Sequence, residues 1–130
     1  MVWPKLLSDK KMIEKLGIGI DMTHISDFGK ISYEKNPGLY KKIFQPSEID
    51  YCLKYKESSS HFAGKFALKE AVKKSINENI YISKIITSHK KSKPNIKLLN
   101  SKKKYIFRAS ISHEKDYAIG MVICEKINNE

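Results

Sequence analysis

Residues 62–74 constrain the fold of this chain more than any other segment, because they favour one long helix. Ala, Leu, Lys and Glu are strong helix formers, and no proline interrupts the run. Three serines at positions 58–60 precede it and offer an N-cap. At about 100° per residue, Leu68 and Val72 fall on the same side of this helix. The pattern predicts a central helix that buries this face and ends near residues 77–79.

Glu70 is the one acidic residue in that segment, and lysines surround it in the sequence. Helical spacing places it on the same side as Phe66 and Ala67. If both sides of the helix are covered, this carboxylate is partly buried and requires a cation, which Lys74 at i+4 would supply. An ordinary ion pair on a helix surface explains the same pattern. The helix alone leaves both interpretations open.

Residues 16–22 alternate between apolar residues and a second set that holds two glycines and an acid. This period of two predicts a strand. Gly17 and Gly19 share one face, and because glycine weakens a strand, they indicate that another element approaches the backbone closely. Asp21 stands at the end of that face. It fits a cap for a helix beginning at residue 23 or 24, and it also fits a functional carboxylate.

The rest of the chain divides into short helices followed by short strands. Spacing and turn signals predict a helix beginning at residue 23 or 24, a short apolar-basic piece over 39–44, and a helix that starts at 45–48 and continues to residue 55. Beyond residue 80 the pattern predicts strands over 83–88, 95–99, 105–113 and 117–127. The last of these is nearly all apolar, so we expect it at the centre of its sheet.

The chain of 130 residues carries a formal net charge of +11. Arg108 is its only arginine, and the segment 84–104 holds eight lysines and no acid. We therefore expect anionic partners: nucleic acid, acidic lipid, a phosphorylated small molecule or an acidic protein. No run approaches the ~18 apolar residues of a membrane span. Cys52 and Cys124 fit no metal spacing, which favours free thiols in a reducing compartment.

Residues 110–113 read Ser-Ile-Ser-His and close the strand before the last one. Ser110 and Ser112 share a face, and His113 stands where the strand meets a turn. A histidine at this place is an ordinary surface residue or part of a corner that binds a phosphate or a hydroxyl group. No pair of histidines or cysteines has zinc spacing, and the serines do not lie on the nucleophile elbow of a hydrolase.

These motifs, taken in order, resemble those of the holo-acyl-carrier-protein synthase family, the small 4′-phosphopantetheinyl transferases. The resemblance runs from residue 16 to residue 127 and covers nearly the whole chain. Its parts are Gly17-Ile18-Gly19-Ile20-Asp21, Phe44-Gln45-Pro46-Ser47-Glu48-Ile49, Phe62-Ala63-Gly64-Lys65-Phe66-Ala67-Leu68-Lys69-Glu70-Ala71, and Ser110-Ile111-Ser112-His113 with Tyr117-Ala118. One such motif is weak, whereas all of them in this order are specific.

The resemblance implies an α+β fold, the 4′-phosphopantetheinyl transferase fold, with an antiparallel-rich sheet packed on the long central helix. It implies an enzyme that moves the 4′-phosphopantetheine arm of coenzyme A onto a serine of apo-acyl carrier protein and releases adenosine 3′,5′-bisphosphate, in fatty acid biosynthesis. It also implies a cytoplasmic homotrimer with active sites between subunits. Nucleic acid and membranes are not expected partners, and residues 1–130 are expected to form one domain.

Site residues follow from the same resemblance. Asp21 and Glu70 are expected to hold Mg²⁺, which protein sites usually bind through one or two carboxylates plus phosphate oxygens and water. Glu70 is also the candidate to accept the serine proton. Lys65, Lys74 and His113 are the candidates to contact coenzyme A.

Three departures from the family pattern stand out. Lys65 replaces a usual arginine, which keeps the charge and loses the bidentate geometry. Asp27 stands where many relatives carry an arginine that meets the carrier protein, so we expect lysines such as Lys30, Lys41 and Lys42 to take over that contact. The first 15 residues have no counterpart in the compact bacterial pattern. They are an added helix or the remains of a targeting segment, which would place the protein in an organellar stroma.

The alternative to an enzyme is a small basic nucleic-acid-binding domain, which the charge of +11 and the tyrosines near lysines would suit. That alternative predicts aromatic side chains exposed on strands and RNA binding that weakens steeply with salt. No RNA-recognition motif is visible, and basic charge does not by itself identify the polyanion.

Overall fold

The first and last strands of the chain lie side by side in one antiparallel sheet. A computed structural model describes residues 14–127. Its larger sheet has three strands, β1 (Leu16–His24), β5 (Tyr117–Ile127) and β4 (Lys104–Glu114), in that order across the sheet. The apolar strand β5 is central, as its sequence predicts. β1 extends two residues beyond its predicted end because residues 23 and 24 continue the pairing with β5.

The predicted central helix is α4 (Ser58–Ser75), which crosses one face of this sheet. Its contact with β1 explains the two glycines of that strand. A Cβ atom on Gly17 would lie 1.8 Å from the carbonyl oxygen of Ser75, and one on Gly19 would lie 1.8 Å from that of Ala71. A larger residue at either position would force the helix away from the sheet. The predicted close approach is thus made by the backbone of α4.

Both ends of α4 differ from the prediction. Residues 58–60 form the first turn, and Glu57 is the N-cap in place of a serine. The helix ends at Ser75 and not near residues 77–79, because Ile76 has extended backbone angles (φ −111°, ψ 154°). Ile76 is buried in the core beside the last turn.

The core lies on both sides of α4. On the predicted apolar side, Leu68 and Val72 pack with Ile85 and Val122. On the other side, Phe62 joins an aromatic cluster contributed by the three short helices α1 (Ile25–Lys30), α2 (Pro37–Ile43) and α3 (Pro46–Leu53). The buried members of that cluster are Tyr40, Phe44, Ile49, Cys52 and Phe62.

The predicted strands 83–88 and 95–99 form a separate two-stranded sheet, displaced by about two residues. Its strands are β2 (Ile85–Lys90) and β3 (Lys93–Leu98), and a single turn of 3₁₀ helix at Ile82–Lys84 precedes them. The hairpin turn uses Lys91 and Ser92, both with positive φ (52° and 66°). A two-residue turn of this kind matches the strand twist, and it shifts the strand ends toward the turn.

The remaining predictions about the chain have mixed outcomes. Cys52 and Cys124 are buried free thiols, as expected, and burial raises the pKa of the Cys52 thiol to about 12. Within residues 14–127, every helix is too short or too polar to cross a membrane. The predicted N-terminal extension, residues 1–15, lies outside the described part of the chain except for Glu14 and Lys15.

The face of the larger sheet that points away from α4 is apolar and exposed. Ile18 is 69% exposed and pairs with Ile123, while Ile20 is 58% exposed and pairs with Met121. Paired residues share a face of the sheet, so these side chains form one continuous surface. The other exposed apolar members of this surface, which we call the apolar face, are Leu16, Met22, Ile106 and Ile127.

Candidate active site

Asp21 lies on β1 where the strand passes the C-terminal half of α4. Its carboxylate accepts hydrogen bonds from Lys74 Nζ at 3.1 Å and from Thr23 Oγ1 at 3.2 Å. Lys74 also donates to the carbonyl oxygen of Ile20 at 2.9 Å. Asp21 does not cap the following helix, because the N-cap of α1 is His24 and no side chain bonds there. The carboxylate is therefore free of a capping role.

Glu70 lies half-buried on α4, one residue before Ala71, whose carbonyl oxygen meets Gly19 of β1. The predicted pairing of Glu70 with Lys74 is wrong, since Lys74 pairs with Asp21 instead. The two ion pairs within residues 14–127 are Asp21–Lys74 and Glu48–Lys69, and Glu70 belongs to neither. Strand β1 brings Asp21 within reach of Lys74. The sequence of α4 alone does not indicate this contact.

Asp21 and Glu70 thus lie within two residues of one contact between β1 and α4, that of Gly19 with Ala71. This pair of carboxylates fits Mg²⁺, a hard cation that accepts one or two carboxylates and takes its other ligands from water or phosphate. The ammonium of Lys74 on Asp21 shows that this position already attracts a cation. No cluster of three His, Cys, Asp or Glu side chains occurs within residues 14–127.

A cavity of about 430 Å³ opens beside the N-terminal half of α4, and Lys65 and His113 both line it. Lys65 is 1% exposed. Its Nζ donates to the carbonyl and hydroxyl oxygens of Thr87, both at 3.1 Å, and lies 4.6 Å from the centre of the Tyr51 ring. His113 Nε2 lies in hydrogen-bonding distance, 3.0 Å, of the carbonyl oxygen of Ser60. Two of the predicted site residues therefore share this basic cavity.

Two more histidines line the basic cavity. His61 stacks on Tyr55 with 3.7 Å between ring centres, and His89 stacks on Tyr51 at 4.8 Å. Burial lowers the pKa of both imidazoles, and the positive charge of Lys65 lowers each pKa further. Both histidines therefore favour the neutral form at pH 7.

The permanent charge of the cavity comes from other side chains. Lys65, Lys93 and Arg108 line it, and no acidic side chain of the described part does. A concave site lined by cations raises the local concentration of anions and strengthens their binding. The cavity is thus suited to a phosphorylated group.

A buried polar network lies behind the cavity wall. Lys69 Nζ is 2.6 Å from Glu48 Oε1, and both side chains are fully buried. The second oxygen of Glu48 accepts from the N–H of Thr87 at 3.0 Å and from its hydroxyl at 2.6 Å. Lys69 also donates to the carbonyl oxygens of Ile43 and Ile82 at 2.7 Å and 3.3 Å. Each charge has partners, as buried charges require.

Comparison with known proteins identifies one family, by a family model and by individual relatives. The 4′-phosphopantetheinyl transferase superfamily model matches residues 17–122 of this chain. The chain belongs to the 4′-phosphopantetheinyl transferase superfamily. It is 35% identical over 116 residues to the holo-acyl-carrier-protein synthase of Ehrlichia chaffeensis, covering 83% of this chain and 94% of the relative. It is 30% identical over 122 residues to that of Geobacter sp. strain M21, covering 85% and 98%.

A solved member of the superfamily agrees with the fold. The Helicobacter pylori holo-acyl-carrier-protein synthase, in complex with coenzyme A, has a TM-score of 0.69 and 35% identity to this chain, covering 83% of this chain and 99% of that one. The predicted enzyme class, a phosphopantetheinyl transferase, and the predicted α+β fold are confirmed.

In the present chain, the predicted site residues fall into two groups, each formed by one or two residues of α4 and one residue of a neighbouring strand. The first group, Asp21, Glu70 and Lys74, lies at the β1 edge of the sheet, and the second, Lys65 and His113, lies at the β4 edge. Gly64, beside His113, and Lys74 are roughly 15 Å apart along α4, from the helical rise per residue. One chain therefore does not bring all five residues together.

Several residues of the site were not anticipated from the sequence. Glu48 lies within a recognised motif, yet nothing in that motif indicates that it pairs with Lys69. His61, His89 and Thr87 carry no sequence signal, because they belong to three different contacts that only the packing of β2 and α3 on α4 creates.

Proposed function

We propose that this protein transfers the 4′-phosphopantetheine arm of coenzyme A to a serine of an apo-acyl carrier protein, in fatty acid biosynthesis. The observation that carries the proposal is that Asp21 and Glu70 lie within two residues of the same β1–α4 contact, Gly19 against Ala71, and that Lys74 of the helix bonds to Asp21 of the strand. Membership of the superfamily supports it, as does the Helicobacter pylori relative in complex with coenzyme A. The positive charge also suits a coenzyme with several phosphates.

Asp21 and Glu70 would hold Mg²⁺ in this reaction. The ion, when bound, would neutralise the pyrophosphate of coenzyme A and polarise the phosphorus under attack. The protein's own part is positioning: β1 and α4 are locked together by Gly17 and Gly19, so the two carboxylates have little freedom to separate. Lys74 lies on Asp21 and is 54% exposed, which leaves its ammonium free to move to a phosphate oxygen.

Glu70 is the residue that would accept the proton of the carrier serine. The serine oxygen then forms a bond to the phosphorus that bears the pantetheine arm. The bond from that phosphorus to the bridging oxygen breaks, and adenosine 3′,5′-bisphosphate leaves with the electron pair. Phosphoryl transfer gains mainly from orientation and charge stabilisation, so few protein groups need to act directly.

The basic cavity would hold a phosphate-bearing part of coenzyme A. Lys65 supplies a fixed positive charge in its wall, and His113 stands at its rim beside the first turns of α4. Lys93 and Arg108 add two further cations from β3 and β4. Charge-assisted hydrogen bonds from such groups to phosphate are stronger than neutral ones.

We also propose a homotrimer with active sites between subunits. The apolar face, on which Ile18 is 69% exposed, is a continuous apolar surface, whereas the exposed apolar residues of a typical protein surface are scattered. A second copy of the chain would cover it. The Asp21 group and the Lys65 group lie at opposite edges of the same sheet. Contact between edges of neighbouring subunits would bring one group of each kind to the same coenzyme.

The proposed activity is tested by incubating the protein with coenzyme A, Mg²⁺ and an apo-acyl carrier protein, followed by intact mass measurement of the carrier. We expect a gain of one phosphopantetheine on the carrier serine. A carrier variant with that serine changed to alanine is the control. No gain in mass with a carrier that a known synthase modifies would contradict the proposal.

The proposed assembly is tested by light scattering and by mixing subunits. Asp21→Ala and His113→Ala chains carrying different tags are co-expressed, and the mixed assemblies are purified through both tags. If the site is shared between subunits, each mixed trimer has one of its three sites with both Asp21 and His113 intact, so the purified assemblies regain about one third of the wild-type sites. A monomer in solution, or mixed assemblies as inactive as the parents, would overturn the shared site.

A further inference from the structure

Lys65 is a buried cation without a carboxylate partner in the described part of the chain. Its Nζ contacts two oxygens, both of Thr87, and the face of the Tyr51 ring. The neighbouring buried lysine, Lys69, contacts Glu48 at 2.6 Å. Two buried ammonium groups thus share one carboxylate, and the excess positive charge belongs to Lys65. An uncompensated buried charge is unfavourable unless other groups stabilise it.

The hydroxyl group of Thr87 has a defined direction. Its single proton points to Glu48 Oε2, at 2.6 Å, because a carboxylate can only accept. Its lone pairs are therefore available to Lys65 Nζ at 3.1 Å. The N–H of Thr87 also donates to Glu48 Oε2, at 3.0 Å, and so fixes the residue from a second side. The chain of donors runs from Lys65 through Thr87 to Glu48.

Through this arrangement, the negative charge of Glu48 stabilises the ammonium of Lys65, which Glu48 does not contact. A hydroxyl that donates to a carboxylate becomes a better acceptor, because hydrogen bonds in a chain polarise one another. Burial lowers the pKa of Lys65, and the charge of Glu48 opposes that shift. Thr87 is 2% exposed and does not line the cavity, so it lies behind Lys65 and out of reach of a ligand there.

The chemistry of lysine explains why the Lys65 ammonium needs a neighbouring group that fixes its position. An arginine presents its donors in a rigid planar fork, whereas a lysine ammonium rotates on a flexible stem and gains its direction from its surroundings. Two of the three donors of Lys65 are engaged by the oxygens of Thr87, and Nζ lies 4.6 Å from the centre of the Tyr51 ring, which lines the cavity.

We propose that Thr87 is a positioning residue for anion binding: its hydroxyl joins Glu48 to Lys65 and holds the Lys65 ammonium at the wall of the basic cavity. This inference rests on the proposed function in one respect, that the cavity receives a phosphate-bearing part of coenzyme A. The proposal assigns a role in anion binding to Thr87, a residue that does not line the cavity.

The test compares variants that keep or remove the hydroxyl. Thr87→Val preserves the shape and removes the hydroxyl, whereas Thr87→Ser keeps the hydroxyl and loses a methyl group. Thr87→Ala differs from Thr87→Ser by the hydroxyl alone and serves if Thr87→Val does not fold. The Kd of adenosine 3′,5′-bisphosphate is measured by calorimetry, and KM for coenzyme A and kcat are measured in arm transfer. Thermal unfolding is recorded for each variant.

We expect Thr87→Val to raise the Kd and the KM by roughly fivefold, the size of one charge-assisted hydrogen bond that is partly replaced by the remaining carbonyl contact. The change falls on KM more than on kcat, because neither Asp21 nor Glu70 lines the cavity. Thr87→Ser restores both constants to within about twofold of the wild type. Thr87→Ala behaves like Thr87→Val.

Three results would overturn the proposal. Wild-type Kd in Thr87→Val means that the hydroxyl does not position Lys65. Equal weakening in Thr87→Ser and Thr87→Ala means that the methyl group matters and not the hydroxyl. A lower unfolding temperature with wild-type Kd means a structural role only. The binding measurement does not require transfer, so a wild-type protein that binds the bisphosphate and modifies no carrier refutes the proposed function and leaves this inference standing.

Discussion

Lys74 Nζ lies 3.1 Å from Asp21 Oδ1 and so joins the last turn of α4 to the strand β1. The helical spacing alone favours Glu70 as the partner of Lys74. The tertiary structure offers a better one, because Lys74 also reaches the carbonyl oxygen of Ile20 at 2.9 Å. Glu70 is left without an ion-pair partner among residues 14–127. Within those residues, Glu70 is thus available for its proposed role as a metal ligand or a base.

The first prediction concerns the two carboxylates. Asp21→Asn and Glu70→Gln should each reduce arm transfer by at least about 100-fold, because each removes a charged ligand or base from the proposed site. The measurement is the initial rate of carrier modification at saturating Mg²⁺ and coenzyme A. Both variants should unfold near the wild-type temperature, since neither residue is in the core. Asp50→Asn, on the exposed surface of α3, is the control. Near-normal turnover in Asp21→Asn or Glu70→Gln would show that the substituted carboxylate does not belong to the site.

The second prediction concerns Lys74. Lys74→Ala should weaken coenzyme A and dephospho-coenzyme A to the same extent, by about tenfold, because Lys74 lies beside the carboxylates where the pyrophosphate is expected. Affinity is measured by calorimetry for both ligands. Lys73→Ala, one residue earlier and exposed, should leave both affinities unchanged. A loss confined to coenzyme A would place Lys74 on the 3′-phosphate instead.

The third prediction concerns the buried pair Glu48–Lys69. Lys69→Met should lower the free energy of unfolding by about 3–5 kcal/mol, because it leaves a fully buried carboxylate without its cation. Lys73→Met, on the exposed side of the same helix, should change it by less than about 0.5 kcal/mol. Urea unfolding followed by circular dichroism gives both values. Equal stability of the two variants would show that leaving Glu48 buried without Lys69 has no measurable cost.

The fourth prediction concerns pH. Burial lowers the pKa of His61 and His89 below the ordinary value of 6.5, so the unfolded chain binds protons more readily than the folded one. Their contribution to stability is therefore complete above pH 6.5 and is lost as the pH falls through the folded pKa values. His61→Phe keeps the ring stacked on Tyr55 and should flatten this decline. His24→Gln, at an exposed position, should not.

Urea unfolding at several values between pH 7.5 and pH 5 would measure the decline, over roughly the interval in which histidines titrate. The decisive comparison is the slope of the unfolding free energy against pH. If His61→Phe has the slope of the wild type, the buried imidazole of His61 is not the source of the decline.

The fifth prediction concerns the carrier protein. Asp27 lies exposed on α1, and the exposed lysines Lys30, Lys41 and Lys42 follow on α1 and α2. A carrier with an acidic helix would be repelled by Asp27 and attracted by those lysines. Asp27→Arg should therefore raise kcat/KM for a bacterial carrier several-fold, mainly through KM, and the gain should shrink at high salt. Slower transfer would mean that Asp27 has a cationic partner on the carrier.

Much of the fold could be predicted from local patterns. The strand at residues 16–22, the central helix and the central position of the last strand depend on periodicity and on glycine, which act locally. The ends of these elements depend on tertiary contacts. The end of α4 at Ser75 depends on Ile76, whose side chain gains more from the core than from another helical turn. The hairpin turn at Lys91 and Ser92 uses positive φ without a glycine, so its sequence gives no turn signal.

Local sequence patterns and the family resemblance indicate which residues are candidates for the site: the carboxylates Asp21 and Glu70, the lysines Lys65 and Lys74, and His113. The packing of the strands on α4 determines which of these residues contact one another. It paired Lys74 with Asp21, separated Lys65 and His113 into a second site, and placed Thr87 between Glu48 and Lys65. The physical reason is that hydrogen bonds and ion pairs depend on distances of a few ångströms between segments far apart in the chain. Local periodicity carries no information about those distances.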